Sequence, residues 1–179
     1  CEGGGNRQAL SDEEAVAWRQ IMAWARESGL EVSVDPAANL FITLPGRVRG
    51  HAPLLVGSHI DTQPTGGRFD GILGVLAGLE GLRSMVEQGI QPERDIMVVG
   101  WMNEEGSRFA PGMSGSEAFA GVRDLDAIRA GHESGGTRTL GDVLTAFLAR
   151  FADLPRRALG CTPAAYLELH IEQGPELEA

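Results

Sequence analysis

Three short stretches of this chain carry side chains that could do chemistry together. The first holds His59, Asp61 and Asp70, the second the adjacent pair Glu104 and Glu105, and the third His170, Glu172 and Gln173. Imidazole and carboxylate donors of this mixture suit zinc, manganese, cobalt or nickel. Asp61, two residues from His59, is placed to hold the imidazole nitrogen that faces away from such an ion. Glu104 and Glu105 end an apolar run rather than line a helix. Like charges gathered in one crevice are costly unless a cation neutralises them. His51 and His132 sit in loop-like sequence and read as ordinary solvated histidines.

Other chemistries fit less well. The run Gly112-Met113-Ser114-Gly115-Ser116 narrowly misses a nucleophile elbow, because its fifth residue is Ser116. No G-x-G-x-x-G occurs. All 15 basic residues are arginine, so a lysine Schiff base and a phosphate-loop lysine are excluded. Cys161 has no histidine near it in sequence and reads as structural or incidental.

The elements expected to position these groups follow from hydrophobic periodicity. Residues 53–56 form a short buried strand, followed by a loop rich in glycine and proline that carries His59, Asp61 and Asp70. A helix over 71–88 then shows an apolar stripe of Val75, Leu79, Leu82 and Val86, with Gly74 and Gly78 allowing close approach to a sheet. The nearly continuous apolar run 95–102 reads as a central parallel strand. Upstream, Ser11 and Glu14 read as a capping box opening a helix that Gly29 closes. Residues 31–34 and 40–44 read as edge strands joined by a turn. Downstream, short helices are expected around 117–120 and 122–130, an amphipathic helix over 140–151, and a last strand over 164–171. The glycine-rich residues 1–6 read as loop. The fold class expected is α/β, a mostly parallel sheet with helices on both faces. Ligands of such sheets gather beyond the carboxyl ends of the strands, where all three clusters fall.

Composition bounds the partners. The 179 residues suit one domain, and a net charge of −10 argues against nucleic acid. No apolar run approaches the roughly 18 residues of a membrane span, and no secretory pattern opens the chain. Two cysteines without C-x-x-C spacing suggest a reducing compartment, although a single Cys1–Cys161 bridge is compatible with the sequence. A cytoplasmic protein acting on a small molecule is the expectation.

The stretches G-S-H-I-D-T-Q-P-T-G-G-R-F-D-G, N-E-E-G-S-R-F and L-E-L-H-I-E-Q-G-P-E-L-E, with G-S-E-A-F-A-G between the last two, resemble a known group. It comprises the N-carbamoyl-L-amino-acid hydrolases, β-ureidopropionases and allantoate amidohydrolases of the di-metal aminoacylase/carboxypeptidase superfamily. The resemblance implies a di-zinc exopeptidase-like catalytic domain holding two divalent ions, zinc or manganese, with cobalt or nickel as alternatives. It implies that His59 and His170 bind one metal, Asp70 bridges two, Glu105 binds the second, Glu104 is the general base and Gln173 contacts substrate. A cis peptide at Asp70–Gly71 is implied as well. The reaction implied is hydrolysis of an amide or ureido C–N bond, with an aminoacylase or exopeptidase activity as the alternative. The family continues with an inserted lid and dimerisation domain and then completes the catalytic domain. Residues 1–179 therefore correspond to its N-terminal part, and a homodimer is expected only for the full-length protein. A catalytically incompetent metal-binding fragment is the remaining alternative.

Overall fold

A computed structural model describes residues 4–172, 174 and 176–178. Its elements run α1 (Asp12–Glu27), β1 (Glu31–Val34), β2 (Leu40–Leu44), β3 (Leu54–His59), α2 (Ile72–Glu87), β4 (Ile96–Trp101), α3 (Ser114–Ala120), α4 (Leu125–Arg129), α5 (Leu140–Ala149) and β5 (Ala165–Leu167). A 3-10 turn covers Glu176–Glu178. The five strands lie in the order β1-β2-β4-β3-β5. β3 pairs in parallel with β4 and with β5, while β2 is antiparallel to both β1 and β4. The sheet is therefore mixed, with β2 alone reversed. The hairpin 31–44 was expected at the edge, but only β1 lies there; β2 is fully buried between β1 and β4.

Side-chain alternation sorts the strands into two faces. On one face Leu40, Ile42, Leu44 and Val98 join Trp18, Val75, Leu79 and Leu144 from α1, α2 and α5 in the main core. Trp18 meets Phe147 edge-on at 5.0 Å, which ties α1 to α5. On the opposite face Phe41, Leu55, Val99 and Trp101 form a smaller cluster against Phe119 of α3. The Arg157 guanidinium stacks on the Phe41 ring there at 3.9 Å.

Several expected elements change in extent, and two of these changes bear on the site. β3 runs on through Ser58, so His59 is its last residue rather than a loop residue. β5 covers three residues instead of the expected 164–171, pairing with Leu54, Leu55 and Val56 only. Tyr166, Leu167 and Leu169 are exposed, so an edge strand without a second neighbour produces the same apolar pattern as a buried one. The capping box at α1 is half formed. The Ser11 hydroxyl accepts the Glu14 N–H, but the Glu14 carboxylate accepts from Leu10 instead of Ser11. Within the glycine-rich stretch read as loop, Gly5 is held by Gly66, the two exchanging backbone hydrogen bonds of 2.9 Å each.

Glycine brings α2 against the strands. A Cβ built on Gly74 would stand 2.5 Å from the Leu169 carbonyl oxygen and 2.9 Å from Ser58 Cβ. That close approach lets the chain pass α2 just before His170. Gly74→Ala is expected to lower stability by about 1–3 kcal/mol, the usual cost of overpacking a close-packed contact. Urea unfolding measures this, and an unchanged midpoint and slope would contradict it.

Candidate metal centre

Parallel β3 and β4 end side by side, with His59 opposite Trp101 in register. His59 leaves the end of β3 and is 1% exposed. Asp70 stands just before α2, where Gly71 takes the left-handed region at φ 64. A Cβ at Gly71 would fall 2.4 Å from the His59 ring, so glycine is required for the ring to lie there. Among the described residues the cis peptide is Ala110–Pro111, not Asp70–Gly71. His170 follows β5 and stacks on His59 with ring centroids 5.4 Å apart.

The hydrogen bonds behind the rings decide what the front faces offer. His59 Nδ1 lies 2.8 Å from the Asp61 carbonyl oxygen, and His170 Nδ1 lies 2.7 Å from the Ile171 carbonyl oxygen. A carbonyl only accepts, so each Nδ1 carries a proton and each Nε2 is the ring nitrogen left to face an ion. Those two Nε2 atoms are 3.2 Å apart. Asp70 Oδ1 stands 3.6 Å from the first and 3.4 Å from the second. Glu104 Oε2 lies 3.5 Å from His59 Nε2. Tetrahedral ligands about 2.0–2.2 Å from one ion stand about 3.3–3.6 Å from one another. The donor set thus fits a divalent cation in both chemistry and spacing. His59, Asp70 and His170 form one group able to hold an ion, and His59, Glu104 and Glu105 a second. Glu105 falls in a group with His59 and Glu104. Its Oε2 accepts from Gln63 at 2.8 Å, while its buried Oε1 has no hydrogen-bond partner, an oxygen that a cation would satisfy.

Asp61 acts differently from the reading that gave its carboxylate to the imidazole. Its backbone carbonyl orients His59, and the carboxylate stands 3.7 Å from Nδ1. Oδ1 and Oδ2 instead accept the N–H groups of Glu104 and Glu105, each at 3.2 Å. Two amide donors hold a buried carboxylate more directly than an imidazole already occupied by a carbonyl. Burial pushes the Asp61 carboxyl up to about 6, with His59 and the two amides opposing. Burial also raises Glu104, with the charge of His59 opposing and that of Glu105 adding to the rise.

Several positioning residues escaped sequence reading. Asn103, wholly buried at φ 51, turns the chain so that the next two N–H groups face Asp61. Its amide donates to the Phe109 carbonyl and the Ser114 hydroxyl. Asn39 accepts from Met102 and donates to Gly115, tying the end of β4 to α3. Ser58 donates to Glu168 at 2.5 Å, linking β3 to the segment that carries His170. An asparagine directly after a strand and before an acidic pair was the one available signal, since asparagine tolerates the left-handed region. His51 and His132 lie outside both groups. Gln173 lies outside the described residues. Beside Glu104 a cavity of about 440 Å³ opens, lined mainly by Leu55, Trp101, Met113, Phe119 and Tyr166.

The description "Peptidase family M20/M25/M40" matches residues 55–179, a stretch that contains all three clusters. The chain belongs to peptidase family M20/M25/M40. Within that family it is 46% identical over 178 residues to an N-carbamoyl-L-amino-acid amidohydrolase of Rhizobium meliloti, covering 99% of this chain and 42% of that one. A ureidoglycolate hydrolase of Oryza sativa subsp. japonica is 32% identical over 177 residues, covering 96% of this chain and 36% of the relative. The crystal structure of a hydantoinase/carbamoylase family amidase from Burkholderia ambifaria superposes with a TM-score of 0.91 at 46% identity, covering 99% of this chain and 42% of that one. The M20 chain described here thus spans less than half the length of these relatives. Among its described residues no helix is long and apolar enough to cross a membrane.

Glu14, wholly buried near Asp61, generates a pH dependence. Burial pushes its carboxyl from the ordinary 4.5 up to about 8, and the Asp61 charge adds to the rise. A raised value means that the native state holds a proton which the unfolded chain has already released. This stabilisation is complete below about pH 4.5 and is lost as pH rises through about 8. Urea unfolding of the metal-free chain should show stability declining across that window, and Glu14→Gln should flatten the decline. Equal slopes in both proteins would exclude Glu14 as the source.

Proposed function

We propose that this chain supplies the metal-binding part of a hydrolase that cleaves the C–N bond of a linear ureido or amide group. An N-carbamoyl-L-amino acid or ureidopropionate-type substrate is the class we favour. The observation that carries the reading is the convergence of two Nε2 atoms and two carboxylates at spacings of 3.2–3.6 Å. His59 and His170 would hold one divalent ion with Asp70, and Glu105 would hold a second ion shared with Asp70. Zinc or manganese suits this donor set, with cobalt or nickel as alternatives. When bound, such ions acidify water and polarise a carbonyl or ureido oxygen.

The chain's own residues then have distinct tasks. Glu104, partly exposed at the mouth of the apolar cavity, takes the proton from the attacking water and delivers it to the departing nitrogen. Asp61 fixes the backbone of Glu104 and Glu105, so that base and ligand keep one relative position. Gln173 would contact the substrate. In the carbamoyl reading the products are an amino acid, ammonia and carbon dioxide. The identities of the Rhizobium and Oryza relatives, an N-carbamoyl-L-amino-acid amidohydrolase and a ureidoglycolate hydrolase, favour the ureido class. The family's description as peptidases keeps an exopeptidase or aminoacylase as the second reading. A homodimer and a cytoplasmic location belong to the same proposal for the longer protein.

Substitution separates the two glutamates. In a protein extended to the relatives' length, Glu104→Gln should keep its metal content and lose about 10²–10⁴-fold in turnover, since it removes a base and no ligand. Glu105→Gln should lower metal occupancy. Metal analysis and ammonia release from N-carbamoyl-L-amino acids report both. Equal metal content with equal loss of activity would refute this division of roles.

A further inference from the structure

The glycine-rich start of the chain is strapped across the loop that follows His59, and one side chain fastens it. The Arg7 Nε–H donates to the Ile60 carbonyl at 2.6 Å. The Arg7 backbone N–H donates to the Thr62 hydroxyl at 2.8 Å, and the Thr62 N–H donates back to the Arg7 carbonyl at 2.7 Å. Asp61 therefore sits between two residues that are both fixed to Arg7. Beyond Thr62 the strap is closed again by the Gly5–Gly66 pair. Ile60 and Thr62 are each 1% exposed, so in the native state their backbone groups depend on the strap rather than on water for partners.

We propose that Arg7 is a positioning residue for the metal centre, acting through Ile60, Asp61 and Thr62 on the backbone of Glu104 and Glu105. The chain of contacts is continuous. Arg7 fixes Ile60 and Thr62, and these fix the direction of Asp61. The Asp61 carbonyl holds His59 Nδ1, and its carboxylate holds the two glutamate N–H groups. Partners of metal-binding side chains typically change metal affinity about 10–100-fold when removed, even without touching the ion. Burial disfavours the charge of the half-buried Arg7 guanidinium, and the nearby Glu14 and Asp61 carboxyls oppose that. Arg19 and Arg26 on α1 take no part in this arrangement and serve as controls.

The test compares Arg7→Ala, Arg7→Lys and Thr62→Val with the parent chain and Arg26→Ala, using amide hydrogen exchange and zinc titration. In Arg7→Ala the Glu104 and Glu105 amides should exchange at least about tenfold faster, while Val98 and Val99 in β4 keep their protection. Zinc affinity should fall about 10–100-fold. Arg7→Lys keeps the charge but loses the Nε–H fork, and should retain most of the defect. Unchanged exchange at Glu104 and Glu105, or full restoration by lysine, would overturn the proposal. If Arg7→Ala fails to fold, Thr62→Val removes the hydroxyl acceptor at constant shape and should give the same local acceleration; its absence would equally overturn the proposal. The zinc arm rests on the metal-binding reading, whereas the exchange arm does not. A parent chain that binds no zinc but shows the exchange pattern would refute the metal reading and leave the role of Arg7 standing.

Discussion

The arrangement depends on one electrostatic constraint: two imidazole nitrogens and two carboxylates face one another in one crevice. The carbonyls of Asp61 and Ile171 accept from Nδ1 of His59 and His170, which turns both Nε2 atoms toward Asp70 and that of His59 toward Glu104 as well. Carboxylates crowded into one crevice are costly unless a cation neutralises them. With one, the same geometry becomes a ligand shell whose spacing needs little adjustment. The upward displacement of the Glu104 and Asp61 carboxyls expresses the same constraint, since burial makes a charge in this crevice costly.

The fold supplies what this cluster requires by converging several strand ends. Parallel pairing of β3 with β4 and β5 brings His59, the Glu104–Glu105 pair and His170 to the same end of the sheet. α2 closes against β3 through Gly74 and begins at Gly71, where no side chain could fit beside the His59 ring. Asp61 then couples the end of β3 to the end of β4 through two amide hydrogen bonds, and Ser58 couples β3 to Glu168. The positioning side chains are themselves buried polar groups: Asn39 and Asn103 are wholly inaccessible, Asn39 uses both its oxygen and its nitrogen, and the Asn103 nitrogen donates twice. Such groups rigidify a site because breaking one hydrogen bond strands a buried donor or acceptor.

Much of this was legible in residue types and spacing. The apolar run of 95–102 and the helical stripe after Asp70 report local periodicity, and β4 and α2 bear these elements out. What escaped depends on contacts distant in sequence. Nothing local tells Asp61 to turn its carboxylate toward residues 43 and 44 positions away. Nothing in a glycine-rich start signals that Arg7 will cross the loop at Ile60. β5 was read too long because Tyr166, Leu167 and Leu169 are apolar whether or not a neighbouring element covers them. The placement of β2 inside the sheet was equally unreadable, since a hairpin's sequence does not say which strand will find a third partner.

Location of the bound ion tests the central claim most directly. Anomalous X-ray scattering at the zinc edge, from crystals of the chain grown with zinc, would place the metal relative to its ligands. The account predicts a peak about 2.0–2.2 Å from His59 Nε2, His170 Nε2 and an Asp70 carboxylate oxygen. A peak elsewhere, or none at this position despite full zinc loading, would contradict it.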